Sequence, residues 1–268
     1  AGLRYERLSQ DRDDRVAKSS LNRVDTPLSP RVGLVYQPDE RTSLYAGYSR
    51  SFQPLADSFV FYGNSAQLEP TKTESKEVGI KYELNDKTSL TAALFEMTQN
   101  NIQVADPTRP GFAINVGQQR TRGVELSASG ELAPHWNLIA GYAYMNGLIV
   151  QSSGLTSAGT PFQGNVSSLT PRHTFNLWLK RDLPDGYWVA AGARAESARF
   201  ASSDNLTVLP GYAVINLGAG YVAEKFDVTL SLKNLLDRSY FISAHSAAND
   251  YNMPGEPRSL LVSTRYRF

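Results

Sequence analysis

The sequence predicts an all-β protein, an antiparallel transmembrane β-barrel with about twelve strands in this chain. Three patterns support this fold class. Apolar and polar residues alternate in several segments, as they do when one face of a strand meets lipid and the other meets water. Several segments are longer than the roughly five or six residues usual for strands of soluble sheets. Short turns also alternate with long loops, which is the asymmetry of an outer-membrane barrel.

The closing strand, residues 258–268, shows this alternation clearly. Its apolar side carries Leu260, Val262, Thr264, Tyr266 and Phe268, and its other side carries mainly serines and arginines. Aromatic residues at the end of an apolar face are typical of the girdle at a membrane interface. A half-buried edge strand of a soluble sandwich would show the same alternation, so strand length and loop spacing have to decide between the two.

The composition excludes several classes of protein. The net charge of +1 gives no basic excess for a nucleic-acid surface. The absence of cysteine excludes disulfides, thiolate metal sites and cysteine nucleophiles. No apolar run is long enough for a membrane-spanning helix, so a membrane protein of this sequence would span with strands. The 268 residues, 41% of them hydrophobic, suffice for one large β domain or two ordinary ones.

The predicted strands follow one another through the whole chain. A strand at residues 2–8 precedes a charged, solvated loop at 11–25. The other strands are predicted at residues 31–37, 42–50, 71–84, 88–99, 113–132, 136–150, 172–183, 187–200, 211–223, 226–236 and 258–268. Turn-forming residues mark most of the short turns, which are residues 38–41, 85–87, 133–135, 184–186 and 224–225. The long loops are residues 51–70, 100–112, 151–170, 201–209 and 237–257.

Two features of the predicted barrel stay open. Both sides of the strand at residues 88–99 are apolar, so either face could meet lipid. About twelve strands could close on themselves as a narrow barrel. The chain begins directly in a strand, however, with no apolar leader before it. We therefore expect these strands to be a contiguous part of a larger barrel.

Three groups of segments, spread in order along the chain, carry a family resemblance. They are residues 48–54 (YSRSFQP) with 68–70 (LEP) and 77–82 (EVGIKY), residues 115–125 (NVGQQRTRGVE) with 136–144 (WNLIAGYAY), and residues 234–240 (NLLDRSY). Together they resemble the TonB-dependent outer-membrane receptors, and the siderophore receptors among them most closely. The loop at residues 242–258 is similar to that of the ferric-catecholate type.

The resemblance implies a receptor for uptake of ferric siderophores in the bacterial outer membrane. Residues 1–268 would be the C-terminal portion of a barrel of about twenty-two strands. The partners implied are the remaining barrel strands, an N-terminal plug inside them, and the TonB complex, besides outer-membrane lipid and lipopolysaccharide. No resident cofactor is implied, because the iron arrives already chelated. Neither plug nor coupling segment is recognisable here, which puts active transport by this chain alone in doubt.

Ligand-binding residues are expected among the loop aromatics and the cations near them. Aromatic rings can stack on the arms of a chelate, and arginine can offset the negative charge of a tris-catecholate. Any single ring could instead pack loops together or belong to the outer girdle. Arg238 and Arg258 lie near the same rim. The candidates are Phe52, Phe59, Phe61, Tyr62, Arg109, Phe112, Phe162, Arg199, Phe200, Tyr240, Phe241, His245 and Tyr251.

The remaining polar residues give weaker indications of a functional site. The three histidines are too scattered for a metal site, and only His245 lies in a long loop where a ligand role is plausible. Arg120 and Arg122, close to Glu125, are expected in a charge network inside the barrel.

Two other functions compete with the receptor. One is a self-contained, passive channel of twelve strands, for which a signal peptide should stand just ahead of Ala1 in the reading frame; the receptor predicts a plug domain there. The other is an outer-membrane hydrolase, for which His173 and Asn176 are the only recognisable candidates for catalytic residues. Residues three apart on a strand point to opposite faces, and no serine stands out as a nucleophile, so we expect no enzyme activity.

Overall fold

The computed structural model describes residues 1–16, 18–55, 63–105, 111–152, 154–155, 159–244 and 251–268. The only helices in these residues are two short 3-10 helices, Ser65–Gln67 and Pro184–Gly186. None of the helices in the described ranges has the length and apolar character needed to cross a bilayer. The rest of the regular structure is strand, which confirms the all-β fold class.

The strands are numbered in chain order. They are β1 (Gly2–Tyr5), β2 (Leu8–Asp14), β3 (Ser19–Asp25), β4 (Leu28–Asp39), β5 (Thr42–Gln53), β6 (Thr71–Asn85), β7 (Thr88–Ala105), β8 (Ala113–Ala133), β9 (Trp136–Gln151), β10 (His173–Asp182), β11 (Tyr187–Glu196), β12 (Arg199–Phe200), β13 (Val208–Leu209), β14 (Tyr212–Val222), β15 (Phe226–Lys233), β16 (Phe241–Ala244), β17 (Asn252–Pro254) and β18 (Ser259–Tyr266).

One antiparallel sheet contains twelve of these strands, in the order β1-β4-β5-β6-β7-β8-β9-β10-β11-β14-β15-β18. The twelve strands predicted from the sequence are therefore confirmed. The other six strands form three hairpins, β2–β3, β12–β13 and β16–β17, which all lie in connections between strands of the large sheet. Tight turns join β4 to β5, β6 to β7, β8 to β9, β10 to β11 and β14 to β15.

The sheet is open at both edges. β1 and β18 are its first and last strands, and among the described residues no register joins them. A barrel closed by these twelve strands alone would need that pairing, so the narrow self-contained barrel is not favoured. Unpaired backbone groups of an edge strand cannot stay exposed to hydrocarbon. A membrane wall built from this sheet therefore needs further strands at both edges.

Strand register determines which residues share a face, because directly opposite residues point to the same side. Leu232 lies opposite Leu217 on β14 and Leu260 on β18. The register also determines which side of β7 faces the same way as these leucines, which the sequence left undecided. Leu90 lies opposite Tyr82 and Ala128 and shares their face. We call the face that carries these residues the outward face and the opposite one the inward face.

The predicted loop at residues 11–25 is wrong in part, because this segment forms the β2–β3 hairpin. Seven residue pairs join its strands, from Leu8 opposite Asp25 to Asp14 opposite Ser19. Backbone pairing does not depend on side-chain polarity, so a strand of charged residues leaves no apolar alternation in the sequence. Leu21 packs against a buried cluster of Leu55, Leu68 and Ala113, which holds the hairpin against the neighbouring loop.

The strand predicted at residues 187–200 is interrupted. β11 ends at Glu196, and Arg199–Phe200 pair instead with Val208–Leu209 as β12–β13. Ser197 makes the last ladder contact with β10, donating its backbone N–H to the carbonyl of His173 at 2.9 Å. Immediately before Arg199 the chain therefore leaves the large sheet and enters the long connections beyond its strand ends, which we call the loop layer.

Candidate functional site

The outward face is apolar over the middle of the sheet. Many of its large side chains remain solvent-exposed in the chain itself, as expected for a surface that meets lipid. Its rows carry Val78, Leu94, Val124, Ile80, Ala92 and Leu126 on β6–β8, and Leu217, Leu230, Leu232, Leu260 and Val262 on β14, β15 and β18. The apolar band confirms the alternation of apolar and polar residues predicted from the sequence.

Aromatic side chains border the apolar band at the short-turn rim. The guanidinium of Arg181 lies over the ring of Trp136, 5.0 Å from its centroid. Tyr187 and Tyr221 pack with centroids 4.7 Å apart, and Phe226 continues the row at 5.8 Å from Tyr221. Rings with one apolar and one polar side are typical of the membrane–water interface.

The inward face carries paired polar side chains together with several large rings. The hydroxyl of Tyr45 donates to Oε1 of Glu77 at 2.6 Å, and Lys180 pairs with Asp182 at 2.5 Å. Glycines allow large inward rings to lie against the wall, since a side chain at Gly79 would collide with the ring of Tyr45. These contacts fit a wall that faces an aqueous interior.

The charge network predicted from Arg120, Arg122 and Glu125 is corrected by the register. Arg120 and Arg122 share the outward face with Val124, and Nε of Arg122 pairs with Oε2 of Glu96 at 2.5 Å. Glu125 points inward. Odd spacings of three and five residues separate it from the two arginines, so the strand puts them on opposite faces.

A buried arginine organises the loops above β11 and β14. The side chain of Arg199 is 2% exposed, and its Nη2 donates to the carbonyls of Phe241 at 2.9 Å and Ile242 at 3.0 Å. Its Nη1 lies 3.1 Å from Oε2 of Glu196, which also pairs with Arg194. One guanidinium therefore ties the connection between β15 and β18, which we call the closing loop, to the end of β11.

Two residues that the sequence did not single out as site residues shape this closing loop. The ring of Tyr212 lies beneath Arg199 and packs against Tyr240, with centroids 4.4 Å apart. Asn234, 2% exposed, donates to the carbonyls of Arg238 at 2.9 Å and Glu256 at 3.0 Å. Its backbone φ of 47° starts the turn that leaves β15. Only its position at the start of the NLLDRSY segment could have identified Asn234.

A pocket of about 460 Å³ opens within this loop, and we call it the closing-loop pocket. A volume of this size suits a compact small molecule. The lining combines an aromatic pair, one cation (Arg238), one carboxylate (Asp237) and a frame of proline and glycine. The rings can stack on a ligand ring, and the guanidinium can attract negative charge. The lining consists of Pro210, Gly211, Asp237, Arg238, Ser239, Tyr240, Phe241, Pro254, Gly255 and Pro257.

An exposed ion pair closes the base of the same loop. Nζ of Lys233 lies 3.0 Å from Oε2 of Glu256, and Ser259 donates to Oε1 at 2.9 Å. The hydrogen bond from Lys233, then that from Ser259, hold the pKa of the Glu256 carboxyl below its ordinary value. A depressed carboxyl pKa means that the contact is complete at neutral pH and weakens only when acid protonates Glu256.

The predicted site residues are only partly brought together. Tyr240 and Phe241 line the closing-loop pocket together with Arg238. Arg199 bonds to the carbonyl of Phe241, and Phe200 follows Arg199 in β12 without lining the pocket. Phe59, Phe61, Tyr62, Arg109 and His245 lie outside the described residues. The rest are dispersed, as the next paragraph describes.

Four predicted aromatics lie away from this pocket. Phe52 follows Tyr48 and Arg50 on the outward face of β5, so it does not line the interior. Phe112 lies near Gly63 in the loop cluster around Ala113. Phe162 packs on Gly154 within the loop after β9, and Tyr251 is 70% exposed beside β17.

The polar residues considered for catalysis do not meet. Nδ1 of His173 is 2.8 Å from the hydroxyl of Tyr142 on the outward face, while Asn176 lies on the inward face opposite Arg194. Within the described ranges, no group of three or more His, Asp or Glu side chains is arranged to hold a metal ion.

Comparison with known sequences gives consistent matches. A family model described as TonB dependent receptor-like, beta-barrel, matches residues 1–235. The catecholate siderophore receptor Fiu of Escherichia coli (strain K12) is 33% identical over 94% of this chain and 35% of its own length. The metal-pseudopaline receptor CntO of Pseudomonas aeruginosa (strain PAO1) is 28% identical over 98% of the chain and 37% of its own length.

Solved structures show the same likeness. The siderophore receptor PiuA from Acinetobacter baumannii superimposes with a TM-score of 0.86 at 25% identity, over 98% of this chain and 40% of PiuA. The chain spans a little over a third of the length of the curated relatives that it matches.

Proposed function

This chain belongs to the TonB-dependent receptor-like β-barrel family, a family of outer-membrane transport receptors rather than enzymes, and we propose that it serves the uptake of ferric siderophores. The observation that carries the proposal is the closing-loop pocket, held by buried Arg199 at the loop end of a wall that is apolar outside and polar inside. A pocket at that end is open to ligands that arrive from outside the cell.

The pocket chemistry suits a ferric chelate with aromatic arms. Tyr240 and Phe241 can stack on a catechol ring, and Arg238 can offset the negative charge that a tris-catecholate carries. Iron needs no protein ligand in this arrangement, so no resident cofactor is proposed. The names of Fiu and PiuA support a siderophore, and that of Fiu supports the catecholate type.

The chain acts as one part of a larger wall. In the part of the chain that the structure describes, neither edge of the sheet has a partner strand, and the chain spans a little over a third of its relatives' length. We propose that it is the C-terminal portion of the receptor barrel, that other strands complete the wall, and that a plug inside it transmits energy from the TonB complex. The inward pairs such as Tyr45 with Glu77 would then face the plug.

Uptake of chelated radioactive iron tests the function in the natural host. Cells that lack this protein should lose uptake from a tris-catecholate chelate and keep uptake from a hydroxamate chelate. Complementation should restore uptake only while the TonB complex is intact. Restored uptake without that complex would contradict the proposal, because it would indicate passive diffusion through a channel.

The pocket has its own matched variants. Arg238→Gln removes the cation from the lining, and we expect chelate affinity to fall by about fivefold, since an exposed charge contact contributes on the order of 1 kcal/mol. Arg258→Gln is the control, because it removes an exposed cation that does not line the pocket. The change retains the hydrogen bond from the backbone N–H of residue 258 to Asp237 at 2.9 Å. If both variants bound the chelate as tightly as the unchanged protein, Arg238 would not be a ligand-binding residue.

A further inference from the structure

Aromatic rings and cations alternate along the inward face of β10, β11 and β14. Each register row of these strands contributes one such residue, and successive rows are about 6.7 Å apart because two residues of strand separate them. We call this set the inward ladder. From the loop end to the short-turn rim it consists of Tyr212, Arg194, Trp178, Lys180 and Trp188.

The inward ladder begins at the closing-loop pocket. Tyr212 packs against Tyr240, which lines that pocket, with ring centroids 4.4 Å apart. At the other end, Trp188 is the second residue of β11 and directly follows the short turn at residues 184–186. The ladder therefore runs along the wall from the pocket to the opposite rim.

Glycines make the two tryptophans into one aromatic surface. A side chain at Gly192 would collide with the ring of Trp178, and one at Gly220 would collide with the ring of Trp188. A side chain at Gly218 would touch both rings. Each indole therefore lies against the wall, and Trp178 remains 36% exposed towards the interior. A ring with one free face can stack on the ring of a ligand.

The charge of the inward face differs between its two sectors. On β11, Arg194 is 52% exposed and shares the carboxylate of Glu196, itself 9% exposed, with Arg199, so positive charge is in excess. On β6 and β8 the inward side chains include Glu77 and Glu125, and no cation pairs with either among the residues that the structure describes. An anion inside the barrel is therefore attracted to the ladder and repelled by β6–β8.

We propose that the inward ladder is the surface along which the ferric chelate passes from the closing-loop pocket to the short-turn rim, once the plug has moved. This inference rests on the proposed function, because aromatic arms and negative charge are what rings and cations recognise. Each contact is weak, since Lys180 already pairs with Asp182 and lies over Trp188 at 5.5 Å from its ring centroid. A series of weak sites lets a ligand leave each of them, as passage requires.

The tryptophans of the chain supply a matched test in the intact receptor. Two of the three, Trp178 and Trp188, belong to the ladder, whereas Trp136 lies on the outward face. Changing both ladder tryptophans to alanine should lower the maximal uptake rate of a ferric tris-catecholate about tenfold per assembled receptor. Chelate affinity should not change, because the pocket is intact. Trp136→Ala should change neither quantity.

A pair of charge variants tests the ladder without removing a large side chain. Asn176→Asp places a carboxylate directly opposite Arg194, and the maximal uptake rate should fall about threefold with unchanged affinity. Thr91→Asp adds the same charge to the inward face of β7, between Lys81 and Ser127, and should leave the rate unchanged.

Three results would overturn the ladder. They are normal maximal uptake in the ladder variants, a loss of chelate affinity that accounts for the whole loss of uptake, and normal uptake with increased entry of a large antibiotic. The last result would show that the rings only seal the wall against the plug. Failure of the unchanged receptor to take up the chelate would contradict the proposed function as well, whereas normal uptake by the variants contradicts the ladder alone.

Discussion

Replacing Arg199 with methionine will release the closing loop from the rest of the loop layer. The change keeps side-chain length but removes the donors to the carbonyls of Phe241 and Ile242 and the partner of Glu196. Loss of one partner of a buried pair costs about 3 to 5 kcal/mol. Hydrogen exchange of β16 in the intact protein should accelerate roughly a hundredfold, while that of β14 should not change.

The control for this experiment is Arg258→Met. The side chain of Arg258 is 55% exposed and 4.0 Å from Asp237, so its removal should leave exchange of β16 unchanged. Chelate affinity should fall with Arg199→Met, because Tyr240 and Phe241 lose their fixed positions in the pocket. Slow exchange of β16 in Arg199→Met would contradict the role of Arg199 as the anchor.

Replacing Leu230 with arginine will block assembly into the outer membrane, whereas Ser231→Arg will be tolerated. Leu230 lies opposite Val262 in the middle of the outward band, and Ser231 is the next residue on the inward face. Arginine at the lipid-facing midplane of a barrel costs about 2 to 4 kcal/mol, and arginine on the aqueous side costs far less.

Heat-dependent mobility of the membrane-extracted protein on gels measures the assembled fraction of each variant. The two substitutions are adjacent and chemically identical, so a general intolerance of β15 would affect both. Equal assembly of Leu230→Arg and Ser231→Arg would show that the two faces do not differ in environment.

The strands were predictable because their signals are local. Alternation in β14, β15 and β18, together with turn residues such as those at 184–186, determined the twelve strands of the sheet from sequence alone. The face of β7 was not predictable, since Phe95 and Ala93 are as apolar as Leu94. Only the register with β6 and β8 assigns Leu94 to the outward face.

The site was harder to predict because its contacts join distant segments. Arg199 was a candidate as a ligand-binding cation, yet its side chain is buried and holds carbonyls 42 and 43 residues away. Tyr212 carries no local signal for its role, and the only sequence signal for Asn234 is its position at the start of the NLLDRSY segment. The β2–β3 hairpin was missed because its charged residues lack apolar alternation. Arg122 was assigned to the wrong face of the sheet, because a spacing of three residues from Glu125 places the two side chains on opposite faces of a strand.

Cysteine scanning of β15 in the intact, membrane-embedded protein tests the central assignment of faces most directly, since the sequence contains no native cysteine. A nitroxide label at each of residues 227–232 reports collisions with oxygen, which concentrates in lipid, and with a nickel chelate, which stays in water. We predict oxygen preference at Val228, Leu230 and Leu232 and nickel preference at the three residues between and before them. Loss of this two-residue period, or exclusion of both reagents from one set as in a packed sandwich, would contradict the lipid-facing wall.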